Sequence, residues 1–315
     1  NAARVASART RATVCYVRGL SRADEPVWGG IIAWYLFLAG LGGGAFVASA
    51  YLRLKHPHAV RMRKAGHFIA PTVVIVGLVL LMLDAEAGLH NPLRFALLLS
   101  NFGSVMTWGV VFLAGFVIVA LIVAGLDLAR KDVPKALEAV GAALAVCVAV
   151  YTGALLGVTH TFPLWNSAIL PVLFLVSALS AGIASVMLYG CLATPQEFEQ
   201  VEQMKKGHLA LPLIELFLIA ALLFITAHNT TAGYDSVMSL LTGSHAALFW
   251  AVLLAIGLVL PALAEVITMS KRCGNERQAR TKRVVSASAE LGVLVGGWTL
   301  RYRIIVAALP LVLIG

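Results

Sequence analysis

Eight separate runs of apolar residues, each long enough to cross a bilayer as one helix, constrain every other reading of this chain. They fall at about Gly30 to Leu52, Gly66 to Leu83, Ser104 to Leu126, Ala136 to Val158, Ala168 to Leu192, Leu209 to His228, Ala246 to Met269 and Ser288 to Leu309. A spanning helix needs about 20 mainly apolar residues, because each residue rises about 1.5 Å through a hydrocarbon core of about 30 Å. The runs occupy most of the 315 residues and leave short loops with no sizeable extramembrane domain. With 60% apolar residues, 12% charged residues and a mean hydropathy of +0.90, a water-soluble fold is excluded. Pro71, Pro171, Pro212 and Pro310 fall near the ends of runs, where a missing N–H is tolerated. The expected fold is an all-α integral membrane protein of eight transmembrane helices.

Charge orients these helices. The loops after the first, third, fifth and seventh runs carry Arg53, Lys55, Arg61, Arg63 and Lys64, then Arg130, Lys131 and Lys135, then Lys205 and Lys206, then Lys271, Arg272, Arg277, Arg280, Lys282 and Arg283. The loops after the second, fourth and sixth carry only Arg94. The positive-inside rule therefore puts both termini on the outer, periplasm-like side. The net charge of +9 is accounted for by these membrane-flanking residues and does not indicate a nucleic-acid partner. Residues 1–27 form a basic arm with Arg4, Arg9, Arg11, Arg18 and Arg22 but no apolar signal core.

Two features concern helix packing. Gly40-x-x-x-Gly44 and Gly292-x-x-x-Gly296 allow close approach of helix backbones. Leu36-Phe37-Leu38 and Leu173-Phe174-Leu175 are each followed by small residues, which suggests a tandem duplication: a first four-helix bundle over 28–160 and a second over 161–315.

Ionisable groups in hydrocarbon are costly, so their positions are informative. On the outer side stand Asp84, Glu86 and His90, Ser104 and Thr107, Tyr151, His160, Trp165 and Asn166, and His228 and Asn229. Toward the inner side stand Glu215, about 9 Å into the sixth run, with Glu265 and Glu290, while Arg301 and Arg303 lie inside the eighth. A lone polar residue near a helix end is more often interfacial than catalytic. None of the eight histidines is near mid-span, which argues against a bis-His haem. Cys15, Cys147, Cys191 and Cys273 are far apart with no C-x-x-C pair, which argues against zinc and iron–sulfur ligation.

Several segments in order resemble the NrfD/PsrC family, the quinone-reacting membrane subunits of bacterial respiratory oxidoreductases of the polysulfide reductase type. They are Trp28-Gly29 with Tyr35 to Gly40 and Gly42-Gly43-Gly44, then Leu83-Asp84 with Pro92-Leu93-Arg94-Phe95, and Ser104 to Gly109. Tyr151-Thr152-Gly153 with Trp165-Asn166, Leu170 to Leu175 with Ser177, and Gly296-Gly297 with Leu300-Arg301-Tyr302 complete the set.

The resemblance implies a multi-pass subunit of the bacterial cytoplasmic membrane, with quinone or menaquinone as its cofactor and no haem or iron–sulfur cluster of its own. It implies quinol chemistry near the periplasmic face and electron exchange with a docked ferredoxin-like iron–sulfur subunit. A further catalytic subunit carrying molybdopterin or multihaem cytochrome groups would complete the complex. Tyr151 would hydrogen-bond the quinone, with Asp84 and Arg94 nearby for proton exchange. No histidine stands between Trp28 and Tyr35, where some family members place quinone ligands, so Tyr35, Glu86, His90 and His160 are the candidates to complete the site. Glu215, Glu265, Glu290 and Arg301 are the candidates for a proton path. The competing classes are a secondary transporter, which predicts a midplane polar site, and a purely structural anchor.

Overall fold

The computed structural model describes residues 29–84, 102–243, 246–270 and 276–310. The basic arm and Glu86, His90 and Arg94 lie outside the described residues. Every regular element among the described residues is helical: α1 (Gly30–Lys55), α2 (Val60–Asp84), α3 (Val105–Leu128), α4 (Lys135–Gly157), α5 (Ile169–Ala193), α6 (Pro195–Gln200), α7 (Glu202–Asn229) and α8 (Thr231–Leu241). A π-helical segment, Leu248–Val259, then continues directly as α9 (Leu260–Ser270), and α10 (Glu276–Val306) follows.

Seven of these helices are long and apolar enough to cross a membrane: α1 to α5, α7, and the helix formed by the π segment with α9. Helices α1 to α5 have 23 to 26 residues, roughly 35 to 39 Å at 1.5 Å each, enough to span with some tilt. Their apolar residues run all round the cylinder, as expected where lipid rather than water covers the outer face. On α7, for example, Leu213, Phe217 and Phe224 are each more than 60% exposed. α10 is the longest helix at 31 residues. Its first turns carry Glu276, Arg277, Arg280, Lys282 and Arg283, and its other charges, Glu290, Arg301 and Arg303, are all buried, so its apolar character is interrupted from within the bundle.

Several boundaries differ from the apolar runs. α2, α7 and α10 begin 6, 7 and 12 residues earlier than their runs, because Met, Lys, Arg, Glu and Gln are good helix formers and prolong each helix beyond its apolar stretch. Pro71 and Pro212 consequently sit inside α2 and α7, not near their ends. The π segment was not expected. It lies just before Pro261, whose ring would clash in α geometry with the carbonyl of Gly257, and the wider π turns relieve that contact.

Pairing follows one plan in each half of the chain. α1 packs on α2 and α4, and α3 packs on α4 and α2; correspondingly α5 packs on α7 and α10, and the π segment packs on α10 and α7. The halves meet where α1 crosses α5. Here the backbone of Gly44 lies against the Ala178 carbonyl, and that of Gly182 lies against Gly44 and Ala45, so closely that a Cβ on either glycine would overlap its neighbour. The two Leu-Phe-Leu-small segments are thus the two sides of one seam. The second glycine pair works in the same way, with Gly296 against Gly257 and Gly292 against the Ile256 carbonyl.

Candidate functional site

At the basic end of the first half, four helices bring ionisable side chains to one buried point. His67 lies two turns into α2, Asp127 is the penultimate residue of α3, Glu138 stands in the first turn of α4, and Arg53 comes from the last turn of α1. His67 Nδ1 is 2.6 Å from Asp127 Oδ2, and its Nε2 is 3.3 Å from Glu138 Oε1. Arg53 pairs with Glu138 and also donates to the Val133 carbonyl at 2.7 Å. Lys64 Nζ lies 3.6 Å from Asp127 Oδ1 and donates to the Asp127 carbonyl at 3.2 Å. Two carboxylates, two permanent cations and one imidazole thus form a compact network, and such pairing is what lets charges remain buried.

The second half repeats the arrangement. His208 lies two turns into α7; its Nδ1 is 2.9 Å from Glu265 Oε1 on α9 and 3.6 Å from Glu290 Oε2 on α10. The repeat is also written in the chain: Gly66-His67 and Gly207-His208 are each followed by a proline four residues after the histidine, at Pro71 and Pro212. Ligand atoms of His208, Glu265 and Glu290 lie within 4.8 Å of one another. The imidazole already hydrogen-bonds a carboxylate through Nδ1, so the arrangement suits a shared proton as its first chemistry.

From this second cluster a polar track continues toward the seam. Glu215 is seven residues after His208 and so faces the same way, about 10 Å farther along α7. It lies near Ser177 on α5, Arg301 and His208, within electrostatic reach of each. Arg301 Nη1 donates to Ser177 Oγ at 3.1 Å and to the Gly297 carbonyl at 2.9 Å, and its guanidinium lies over the rings of Phe174 (5.1 Å) and Phe37 (5.7 Å). Gly40 leaves room for it, since a Cβ there would come within 2.7 Å of Arg301 Nη2. Glu215 is midway along the 28-residue α7, which starts seven residues before its apolar run, and Glu290 is likewise midway along α10.

The opposite end of the first half presents a different chemistry. Tyr151, two turns from the end of α4, and Tyr35, in the second turn of α1, are both buried and near enough for their phenols to interact. Tyr151 packs directly on Gly109 of α3, and a side chain at Gly109 would occupy the space of its ring. Asp84 ends α2 and is half-buried, while His160 is exposed in the loop after α4. Trp165, grouped by sequence with the outer polar residues, has a structural role: it is fully buried, and its Nε1 donates to the Ile304 carbonyl of α10 at 2.7 Å. The structure thus brings together Tyr35 with Tyr151, Glu265 with Glu290, and Glu215 with Arg301.

His67, Asp127, Glu138 and His208 were not among the candidates from sequence. Each is close to a basic loop and reads there as interfacial. The signal that could have found them is the recurring Gly-His-x-x-x-Pro.

Known proteins resemble this sequence over most of its length. The protein is 34% identical over 275 residues to the C subunit of polysulfide reductase from Wolinella succinogenes, covering 78% of this protein and 85% of that one. It is 27% identical to protein NrfD of Escherichia coli, covering 76% and 84% of the two proteins. The NrfD homolog of Haemophilus influenzae is also 27% identical, with coverage of 89% and 94%. The family described as polysulphide reductase, NrfD, matches residues 20–312, and the chain, a multi-pass membrane protein, belongs to that family.

Proposed function

We propose that this protein is the quinol-reacting membrane subunit of a bacterial respiratory oxidoreductase complex, working at the end of the first bundle that carries Tyr35 and Tyr151. The observation that carries the reading is the buried phenol pair, with Gly109 making room for Tyr151, in a chain of this family. A quinol supplies two electrons and two protons. Tyr151 holds one ring oxygen by a hydrogen bond, and Tyr35 extends the polar contact into an otherwise apolar wall. Asp84, at the helix end, takes a proton and passes it to water, with Arg94, Glu86, His90 and His160 on the same side. The electrons go to a ferredoxin-like iron–sulfur subunit docked on that face, and from it to a further subunit with molybdopterin or multihaem groups. No haem or cluster is needed in this chain.

In this reading α10 is the eighth span, both termini are periplasmic, and the basic loops face the cytoplasm. The chain is built as two tandem bundles, 28–160 and 161–315, after a basic arm over 1–27. The common helix pairing and the repeated Gly-His-x-x-x-Pro support the duplication. A second activity, proton translocation, is favoured by the buried track of His208, Glu265, Glu290, Glu215 and Arg301.

The decisive variant is Tyr151→Phe in the assembled complex. Quinol-dependent electron transfer should fall at least tenfold, about 1.4 kcal/mol in the transition state, while assembly is unchanged. Unchanged turnover would remove Tyr151 from the site and favour a structural anchor.

A further inference from the structure

The repeat-related glycines Gly66 and Gly207 have different surroundings. A Cβ on Gly66 would collide with Ser49 and lie 2.8 Å from the Ala45 carbonyl of α1 and 3.0 Å from Val186 of α5. At Gly207 nothing among the described residues lies within 4 Å of an added Cβ. α2 therefore wedges tightly into the angle between α1 and α5, whereas α7 stands off from α1. The gap is an apolar groove of about 230 Å³ between α1, α5 and α7, lined by Val47, Ala48, Tyr51, Ile183, Met204 and Gly207 among others.

The position of this groove says what covers it. From Val47 to Lys55 is eight residues of α1, about 12 Å, close to the roughly 15 Å of hydrocarbon in one leaflet. An empty slot of that size would forfeit dispersion contacts along its whole lining. Its walls offer only apolar contact until Tyr51 at the rim. Lys55 lies one turn beyond Tyr51 on the same helix face and is exposed. The His56 ring centroid is 6.3 Å from that of Tyr51, and His56 Nε2 is enclosed yet makes no hydrogen bond among the described residues. A cation, an imidazole and a phenol thus stand at the mouth of a leaflet-deep apolar slot, at the basic end of the bundle. That combination complements a phosphate attached to an acyl chain.

We propose that the groove between α1, α5 and α7 binds one anionic phospholipid, its acyl chain against Val47, Ala48 and Ile183 and its phosphate at Lys55, His56 and Tyr51. The site is independent of the quinol reading, since Tyr51 is sixteen residues, about 24 Å, along α1 from Tyr35.

The test is native mass spectrometry of the intact complex after incubation in vesicles of mixed phosphatidylcholine and phosphatidylglycerol. The wild type should retain one phosphatidylglycerol per copy of this subunit, at least about fivefold in preference to phosphatidylcholine. Lys55→Gln, which leaves the groove intact, should abolish the preference. Gly207→Leu, whose Cβ has open space among the described residues and whose side chain adds bulk to the groove lining, should abolish retention of either lipid. Equal retention of the two lipids by the wild type, an unaltered preference in Lys55→Gln, or release of quinone in place of phospholipid would each overturn the proposal. If Gly207→Leu does not assemble, Lys55→Gln decides it.

Discussion

The two halves of the molecule place a histidine between two carboxylates at equivalent points, on their second, third and fourth long helices, yet the surroundings of the two clusters diverge. Around His67 the carboxylates Asp127 and Glu138 are engaged by Lys64 and Arg53, so the network ties four helices together at the basic surface. Seven residues farther along α2 stands Val74, fully buried against Gly42. Around His208 the same geometry continues: seven residues along α7 stands Glu215, and beyond it Ser177 and Arg301 at the seam. One cluster ends in a hydrophobic plug and the other opens onto a polar track. The two halves thus share a histidine at equivalent points, while only the second half connects its histidine to the seam.

The largest effect should come from breaking the first cluster. Glu138→Ala leaves Arg53, which cannot deprotonate, facing no carboxylate. Removing one member of a buried pair costs about 3 to 5 kcal/mol, and the lower end applies because the Arg53 side chain is 21% exposed. Thermal unfolding of the purified complex in detergent should show the loss. Glu265→Ala, in the second cluster, should cost less, since His208, unlike Arg53, can give up its proton and still has Glu290 beside it. Equal losses would erase the distinction between a tie and a track.

A smaller effect separates the tight contact of the halves from the loose one. Gly44→Ala drives a methyl group into the Ala178 carbonyl at the seam and should destabilise by about 1 to 3 kcal/mol. Gly207→Ala has open space and should be neutral, or stabilising by up to about 1 kcal/mol through helix propensity. Melting temperatures of the two variants would show whether the α1–α5 crossing is as rigid, and α7 as detached from α1, as the packing indicates.

Seven of the eight spans were legible in the sequence because an apolar run in a membrane protein needs no periodicity to be recognised. The glycine pairs were legible too, since small residues four apart have one main use between membrane helices. The ion clusters were not, for a physical reason. His67 and Asp127 are 60 residues apart and His208 and Glu265 are 57 apart, so only the antiparallel return of the helices brings them together. The start of α7 was also missed, because charged and polar residues before Leu209 read as loop although they continue the helix. Tyr151 was singled out through the family resemblance, whereas the packing of its ring on Gly109 required coordinates.

The subtlest prediction concerns Glu215 itself, whose replacement should change neither stability nor quinol oxidation by much. A glutamine is nearly isosteric, can hydrogen-bond Ser177, and stays beside Arg301, which keeps its own bonds to Ser177 and the Gly297 carbonyl. What glutamine cannot do is take up and release a proton. If the track from His208 through Glu215 carries protons toward the seam, Glu215→Gln in reconstituted vesicles should lower the number of protons moved per electron at matched electron flux. The companion variant His67→Gln, on the half that ends at Val74, should leave that number as it is in the wild type. A ratio unchanged in Glu215→Gln would make the second cluster a tie like the first, and a ratio lowered equally by His67→Gln would place the path in both halves. Only a loss confined to Glu215 supports the division of labour that the two histidine clusters suggest.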